Sequence, residues 1–308
     1  MSPSGPISYR RYLAAKKSVD DRALNPRVIQ ALQDFLHTWS APAPLTILEA
    51  GCGLGTMVER LLGWDLPPRV HYTGVDCQGE LLREAEVRLS RLARPRGWRA
   101  ERQGDGLELS RPGRRLVLNF REHDLCAATA LHPPAASCHL LVAHHVLDLF
   151  NLEEVLPRLF TLLAPGGRFL FTLNFDGATI FLPVFCYELD AAIQRLYHQS
   201  MEHRPGGPAT PGACHTGRRL PAVLSRHGAA ILASGPSPWM VRPHGGSYPA
   251  DEAYFLHCLV QMVEDALAGS PDLEPEALQW WVAARRRQID AGELSYAAAH
   301  RDFFGRRG

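Results

Sequence analysis

The sequence offers little that would bind a charged polymer or a membrane. It has only two lysines, Lys16 and Lys17, and a formal net charge of +1 over 308 residues. Nucleic-acid binding relies on clustered basic side chains that neutralise phosphates, so this balance argues against RNA or DNA as a partner. No apolar run approaches the ~20 residues of a membrane span, and the opening residues lack the apolar segment of a signal peptide. We therefore expect a cytoplasmic protein with no membrane partner.

Closely spaced cysteines are also missing. The seven cysteines are an odd number, and no two of them form a CxxC pair. Structural zinc sites and disulfide scaffolds need close, repeated cysteine spacing. The sequence therefore predicts reduced thiols and no metal site.

Three segments differ in their patterning. Residues 1–41 are polar and contain one amphipathic helix, which predicts an N-terminal helical cap. Residues 42–248 alternate short apolar runs with helical stretches, which is typical of a parallel α/β sheet covered on both faces. Within them, 94–114 are expected to be a surface excursion and 203–215 a mobile Pro/Gly-rich loop. Residues 249–308 are expected to form a C-terminal extension of three helices. Seven strands are predicted, at 45–50, 70–75, 116–121, 139–143, 168–174, 229–234 and 238–242.

The end of the first predicted strand carries a glycine motif. Glu49, Gly51, Gly53 and Gly55 are spaced E-x-G-x-G-x-G before a helix. Glycine suits a chain that turns sharply and must lie against a ligand with no side chain between. Asp76 follows the next strand, where a carboxylate can accept hydrogen bonds from both ribose hydroxyls of an adenosine cofactor.

This spacing leaves a dinucleotide cofactor open. Asp76 lies 21 residues past Gly55, close to the separation in dinucleotide sites. However, a dinucleotide fingerprint reads G-x-G-x-x-G, and position 56 is Thr. Glu49 would also place a carboxylate beside the pyrophosphate, whereas a sulfonium cofactor with an amino-acid tail avoids that repulsion. We therefore disfavour a nicotinamide-dependent oxidoreductase.

Over roughly residues 45–242 the chain resembles the class I S-adenosylmethionine-dependent methyltransferase superfamily, and its opening residues look like an uncharacterised bacterial branch. The resemblance implies a Rossmann-like seven-stranded sheet and S-adenosyl-L-methionine as cofactor. It also implies the residues that hold that cofactor: Glu49, Gly51, Gly53, Gly55, Asp76, Asp124, Leu125 and His144. The acid with which the family's fourth motif usually opens is missing near His139.

Candidate catalytic and acceptor residues follow the fourth and fifth predicted strands. His144 and His145, with Asp148 three residues on, could supply a general base and its orienting carboxylate. Asn174 and Asp176 are candidates for binding the acceptor, and Tyr12 could be brought in by the N-terminal helix.

The expected function is methyl transfer to an O or N atom of a small molecule. Two alternatives remain open, a cofactor-binding scaffold without catalysis and an aminopropyl-type transferase using a related sulfonium. The C-terminal segment could wall off a pocket or form a homodimer through Trp280 and Trp281.

Overall fold

The computed structural model describes residues 7–127, 134–203 and 210–308. Their α-helices are α1 Tyr9–Ala15, α2 Lys17–Ala23, α3 Pro26–His37, α4 Thr56–Leu61, α5 Gly79–Ala93, α6 Leu152–Leu162, α7 Tyr187–Ser200, α8 Thr216–Arg226, α9 Glu252–Leu267 and α10 Pro275–Asp290. Their strands are β1 Leu45–Ala50, β2 Arg69–Asp76, β3 Arg99–Gln103, β4 Gly106–Arg111, β5 Arg114–Glu122, β6 Cys138–His144, β7 Leu163–Leu182, β8 Ala229–Pro236, β9 Trp239–Val241 and β10 Ser295–Arg307.

All ten strands form one mixed sheet. Their order is β3-β4-β5-β2-β1-β6-β7-β10-β8, and β9 pairs with β10. The five central strands from β5 to β7 run parallel, whereas β10 is antiparallel to β7, β8 and β9. The α/β class and the Rossmann-like arrangement are confirmed, but the expected count of seven strands is wrong.

The chain reverses its direction of sheet growth at β1. β2 lies on one side of β1, and β6 lies on the other. In open α/β sheets the ligand crevice opens outside the carboxyl ends of the strands at such a reversal. The sheet topology alone therefore predicts a ligand-binding site after β1 and β6.

The last strand corrects the prediction of three C-terminal helices. α9 and α10 form as expected, but residues 295–307 are β10, which lies between β7 and β8. From Tyr296 to Asp302 every second side chain is buried, but His300 and Asp302 are among these, and residues 302–305 are buried in succession, so the alternating apolar pattern of a strand is hidden. The boundary at 248 stays a proposal, since in space the last segment completes the sheet.

Residues 94–114 are also more regular than expected. β3 and β4 form an antiparallel hairpin that extends the sheet beyond β5. Leu107 and Leu109 are buried and alternate with the polar Glu108 and Ser110, a period-two pattern that the surrounding arginines obscure. This segment is therefore an edge of the sheet and not an irregular excursion.

The N-terminal helices are tied to the sheet and to α9. Asn25 caps α3 by accepting hydrogen bonds from the amides of Arg27 and Val28, as its position before a proline suggests. The buried carboxylate of Asp302 accepts from the amide of Asn25 at 2.8 Å, and Arg22 pairs with Glu252 at 2.7 Å. Within the described ranges, no helix has the length and apolar content needed to cross a bilayer.

Trp281 is a core residue. It is fully buried, and its indole donates a 2.6 Å hydrogen bond to Asp190, which also pairs with the buried Arg285. Trp280 is 62% exposed and contacts Phe185 edge-on. Trp281 therefore has no surface to offer a partner, and homodimerisation, with Trp280 as the exposed candidate, stays a prediction.

Candidate functional site

A cavity of about 570 Å³ opens at the carboxyl ends of the parallel strands. This is within the size range of small-molecule sites. One part, which we call the glycine-loop side, is lined by residues that end or follow β1, β2 and β5, among them Glu49, Gly51, Gly53, Asp76, Asp124 and Leu125. The other, the aromatic side, is lined mainly from β7, β9, β10, α7 and α9: Phe175, Thr179, Tyr197, Trp239, Leu259, Met262, Tyr296, Ala298 and His300. Tyr12, Lys16, His144, His145 and Asp148 also line the cavity.

The glycine motif forms a tight loop over residues 51–55. Gly51, Gly53 and Gly55 all have positive φ, between 48° and 69°. A Cβ on Gly51 would lie 2.5 Å from Val146, and one on Gly55 would lie 3.0 Å from Leu89. Gly51 and Gly53 line the cavity, whereas Gly55 shapes the start of α4. The loop therefore needs glycine both for its backbone conformation and for its packing.

Two carboxylates face the cavity beside this loop. Asp76 accepts hydrogen bonds from the amide of Gly53 at 2.9 Å and from that of Gln78 at 3.0 Å, which fixes its orientation. Each carboxylate oxygen has a second lone pair, so Asp76 can still accept from a ligand. Asp124 accepts from the amide of Cys126, and Leu125 beside it contributes apolar lining.

Glu49 is a buried carboxyl group in the lining of the glycine-loop side. It is 1% exposed, and Tyr72 donates a short hydrogen bond to it. Burial raises the pKa of Glu49 to about 8, against the opposing effects of Tyr72 and Arg60. A cation that enters beside this carboxyl group would favour its ionised form.

His144 is held at both ring nitrogens. Its Nδ1 lies 2.8 Å from the Thr172 hydroxyl, and its Nε2 lies 3.3 Å from Asp20. Asp20 is itself buried. Its carboxylate pairs with the Lys16 ammonium at 3.2 Å and accepts a hydrogen bond from the Trp239 indole at 2.9 Å. Burial lowers the pKa of His144 to about 4. With neither nitrogen available, His144 does not fit the expected role of general base, although it lines the cavity.

His145 sits in a strained backbone position next to Trp239. Its φ is 54°, and its amide donates to the Thr172 carbonyl at 2.9 Å. Its ring stacks on Trp239 with centroids 4.7 Å apart, and burial lowers its pKa well below the usual value. Strain of this kind is typical of functional sites. Asp148 lies on the following 3-10 turn and lines the same cavity, and its pairing with His145 stays a prediction.

Lys16, Asp20, Trp239 and His300 were not singled out in the sequence. Tyr12, Lys16 and Asp20 are spaced four apart, which puts them on one helical face and could have indicated a shared role. Trp239 and His300 carry no motif, and the sheet alone brings them together, with ring centroids 4.5 Å apart. Burial lowers the pKa of His300 to about 4.

Tyr12 reaches the cavity, as expected, but Asn174 and Asp176 do not. The amide nitrogen of Asn174 donates to the Arg301 carbonyl at 2.9 Å, and Asp176 pairs with Arg218 at 2.9 Å. The cause is a bulge in β7, where Leu173 has a φ of 57° and donates its amide to Asp302. The extra residue interrupts the alternation of side chains along β7. The expectation that these two residues bind the acceptor is thereby corrected.

A metal ion has no candidate site in residues 7–127, 134–203 and 210–308, where no three His, Cys, Asp or Glu side chains converge.

Comparison with known proteins gives only remote structural similarity. Neither a family model nor a curated sequence matches the chain. A putative type II methyltransferase from Anaeromyxobacter dehalogenans is 19% identical with a TM-score of 0.47, covering 92% of this chain and 97% of that one. Geranyl diphosphate C-methyltransferase from Streptomyces coelicolor, in complex with geranyl diphosphate and S-adenosyl-L-homocysteine, is 11% identical with a TM-score of 0.43, covering 100% and 89%. A putative sarcosine dimethylglycine methyltransferase from Galdieria sulphuraria is 10% identical with a TM-score of 0.39, covering 97% and 84%. Identities this low leave the acceptor of this chain undefined.

Proposed function

We propose that this protein transfers a methyl group from S-adenosylmethionine to an oxygen or nitrogen atom of a small molecule. The observation that carries the proposal is the glycine-loop side of the cavity. There, Gly51 and Gly53 leave the backbone open to a ligand, while Asp76 and Glu49 contribute carboxyl groups to the lining. When bound, S-adenosylmethionine supplies a methyl group on a positively charged sulfur.

The residues present suit this cofactor. Asp76 would accept from the ribose hydroxyls, and Asp124 with Leu125 would border the adenine. Glu49 would face the cationic amino-acid end. A pyrophosphate in place of that cationic end would disfavour ionisation of Glu49 and gain no attraction from it, which supports the sulfonium cofactor over a dinucleotide.

The extent of the cavity supports catalysis over a scaffold role. It continues from the glycine-loop side into the aromatic side, so a second molecule can lie against the cofactor. Holding two reactants in line can provide most of the acceleration of a displacement. A cavity of about 570 Å³ also fits a small acceptor better than a nucleic acid.

An aminopropyl transferase is less well supported. A polyamine acceptor would need carboxylates around its ammonium groups. The four carboxyl groups that the described lining contains are Glu49, Asp76, Asp124 and Asp148, which belong to or follow β1, β2, β5 and β6. The aromatic side instead has the ammonium group of Lys16 beside it, 5.8 Å from the Trp239 ring centroid.

Calorimetric titration tests this proposal. We expect S-adenosylhomocysteine to bind with micromolar affinity, roughly −8 kcal/mol, and NADH to give no heat of binding. Tight binding of NADH without binding of S-adenosylhomocysteine would overturn the assignment.

A further inference from the structure

The aromatic side has an unusual set of polar groups for an apolar pocket. Around Trp239 lie two imidazoles, His145 and His300, whose ring centroids are 5.5 Å apart. The ammonium group of Lys16 lies 5.8 Å from the Trp239 ring centroid. The described part of this side contributes no carboxylate. The carboxylate that pairs with Lys16, Asp20, is buried and outside the lining, so an ammonium acceptor would meet the positive end of this ion pair, as would an oxygen that becomes negative, and only the oxygen would be attracted.

The hydrogen bond of His300 fixes which of its nitrogens is free. Its Nδ1 lies 3.2 Å from the carbonyl oxygen of Ala298. A carbonyl can only accept, so Nδ1 carries the proton of the neutral ring. Nε2 then has a lone pair, and no described residue hydrogen-bonds to it. Since burial keeps the ring neutral at pH 7, this lone pair is available to a ligand in the cavity.

Lys16 is held where its charge can act on the same ligand. It lies between α1 and α2 and is 7% exposed. Asp20 anchors it at 3.2 Å and is itself anchored by His144 and Trp239. Lys17, by contrast, pairs with Asp21 and Glu59 away from the cavity lining.

We propose, resting on the methyl transfer proposed above, that the acceptor is an apolar compound with an acidic hydroxyl group, such as a phenol, whose oxygen binds between Lys16 and His300. The hydroxyl proton moves to Nε2 of His300. The oxygen keeps its electron pair and bonds to the methyl carbon as the carbon–sulfur bond breaks, with that bond's electrons going to sulfur. His300 then returns the proton to water. Lys16 stabilises the negative charge on the oxygen, which compensates for a weak base.

A chromogenic phenol provides a readout that does not depend on turnover. The probe is 4-nitrophenol, whose ionised form absorbs at longer wavelength, added to the protein saturated with S-adenosylhomocysteine. We expect the bound probe to ionise at lower pH than the free probe. Lys16→Met should abolish that shift and weaken binding at least about tenfold. Lys17→Met is the matched control and should behave as the unaltered protein.

A second variant tests His300 with a side chain that keeps the hydrogen-bond donor of Nδ1 but lacks the free nitrogen Nε2. His300→Asn places an amide donor near the position of Nδ1 and removes Nε2. We expect turnover of phenols, detected as S-adenosylhomocysteine release, to fall about 10²- to 10⁴-fold, as for loss of a general base. Affinity for S-adenosylhomocysteine should stay within twofold. His257→Gln, a buried histidine that bonds Asp290 outside the cavity, is the control.

The outcomes separate the two proposals. If the unaltered protein does not bind S-adenosylhomocysteine, the proposed function fails. If it binds that compound but 4-nitrophenol shows no shift, or Lys16→Met shifts it as Lys17→Met does, the acceptor class is wrong. Methylation of aromatic amines in preference to phenols would also overturn it. Should Lys16→Met fail to fold, His300→Asn still decides, because its substitution leaves the Asp20 contacts intact.

Discussion

Asp76 joins the glycine loop to the cavity, and this double role sets what its substitution should do. Its carboxylate orients the loop through the Gly53 amide and faces the proposed ribose. We expect Asp76→Asn, which keeps one acceptor oxygen, to weaken S-adenosylhomocysteine binding by about 1.5–3 kcal/mol, the range for a hydrogen bond to a charged group. Calorimetry measures this loss.

The matched control is Glu122, which pairs with Asp76 in the β2–β5 register but does not line the cavity. Glu122→Gln should leave the affinity within about 0.5 kcal/mol. Equal effects of both substitutions would mean that Asp76 acts only through the local charge.

Glu49 should make cofactor binding release a proton. With a pKa near 8 it is mostly protonated at pH 7, and a cation bound beside it favours the carboxylate. The heat of S-adenosylhomocysteine binding at pH 7 should therefore depend on the ionisation enthalpy of the buffer, corresponding to release of up to about one proton. Glu49→Gln should remove that dependence. An unchanged dependence in the variant would show that the proton comes from another group.

At the residue scale, motif spacing in the sequence predicted those site residues whose positions depend only on the local backbone. These residues are Glu49, Asp76 and the three glycines, which lie at or directly after the ends of β1 and β2. All of them except Gly55 line the cavity. His300 could not be found this way, because only the antiparallel β10 brings it near His145. Asn174 was misplaced because one bulge at Leu173 changes which side chains face the site.

Helix α1, which α2 follows along the chain, packs against the glycine loop, with Leu13 at 3.4 Å from the Cβ position of Gly53. We expect residues 8–25, which include these helices, and residues 203–215 to close over the site as lids. Hydrogen exchange tests this, since a lid must open to admit the cofactor. Amides of residues 9–23 should exchange more slowly with S-adenosylhomocysteine bound, while those of α10 should not change. Equal exchange of α1 and α2 in both states would contradict the role. Residues 204–209 of the other expected lid segment, 203–215, lie outside the described residues.

The strand β10 is expected to be essential to the sheet. Phe303 is 1% exposed between β7 and β8, so Phe303→Ala should lower the free energy of unfolding by about 3–5 kcal/mol. Tyr187→Ala, at a side chain 74% exposed, should change it by about 0.5 kcal/mol or less. Denaturant unfolding measures both. Similar small losses would mean that β10 is a peripheral addition.

At the element scale, patterning located the parallel strands and their helices but missed three others. β3, β4 and β10 carry charged or imidazole side chains at alternate positions, so their hydrophobic period is weak. Each of them forms a strand because it pairs with a neighbouring strand of the sheet. A short stretch of sequence does not contain that information.

For the molecule as a whole, the buried histidines set its response to acid. Burial holds the pKa of His144, His198 and His300 at about 4, below the usual 6.5. Between these values the unfolded chain binds protons that the folded chain does not, so stability should fall as the pH falls from 6.5 to 4. The midpoint of urea unfolding should follow this trend, and His198→Asn should flatten it. A midpoint that rises on acidification would contradict the burial of these rings.

Glu49 contributes in the opposite direction. Its raised pKa gives a contribution to stability that is present below its usual pKa and is lost as the pH rises toward 8. Glu49→Gln should therefore be more stable than the unaltered protein at pH 8, and the two should converge near pH 4. Thermal unfolding at both pH values measures this. A stability difference between the two proteins that does not change with pH would contradict a raised pKa for Glu49.

The most direct measurement of the central claim is a crystal structure with S-adenosylhomocysteine bound. The account predicts the ribose hydroxyls on Asp76, the amino-acid end near Glu49, and the sulfur directed toward the aromatic side that Lys16 and His300 border. Density for the compound elsewhere, or with its sulfur turned away from that side, would contradict it.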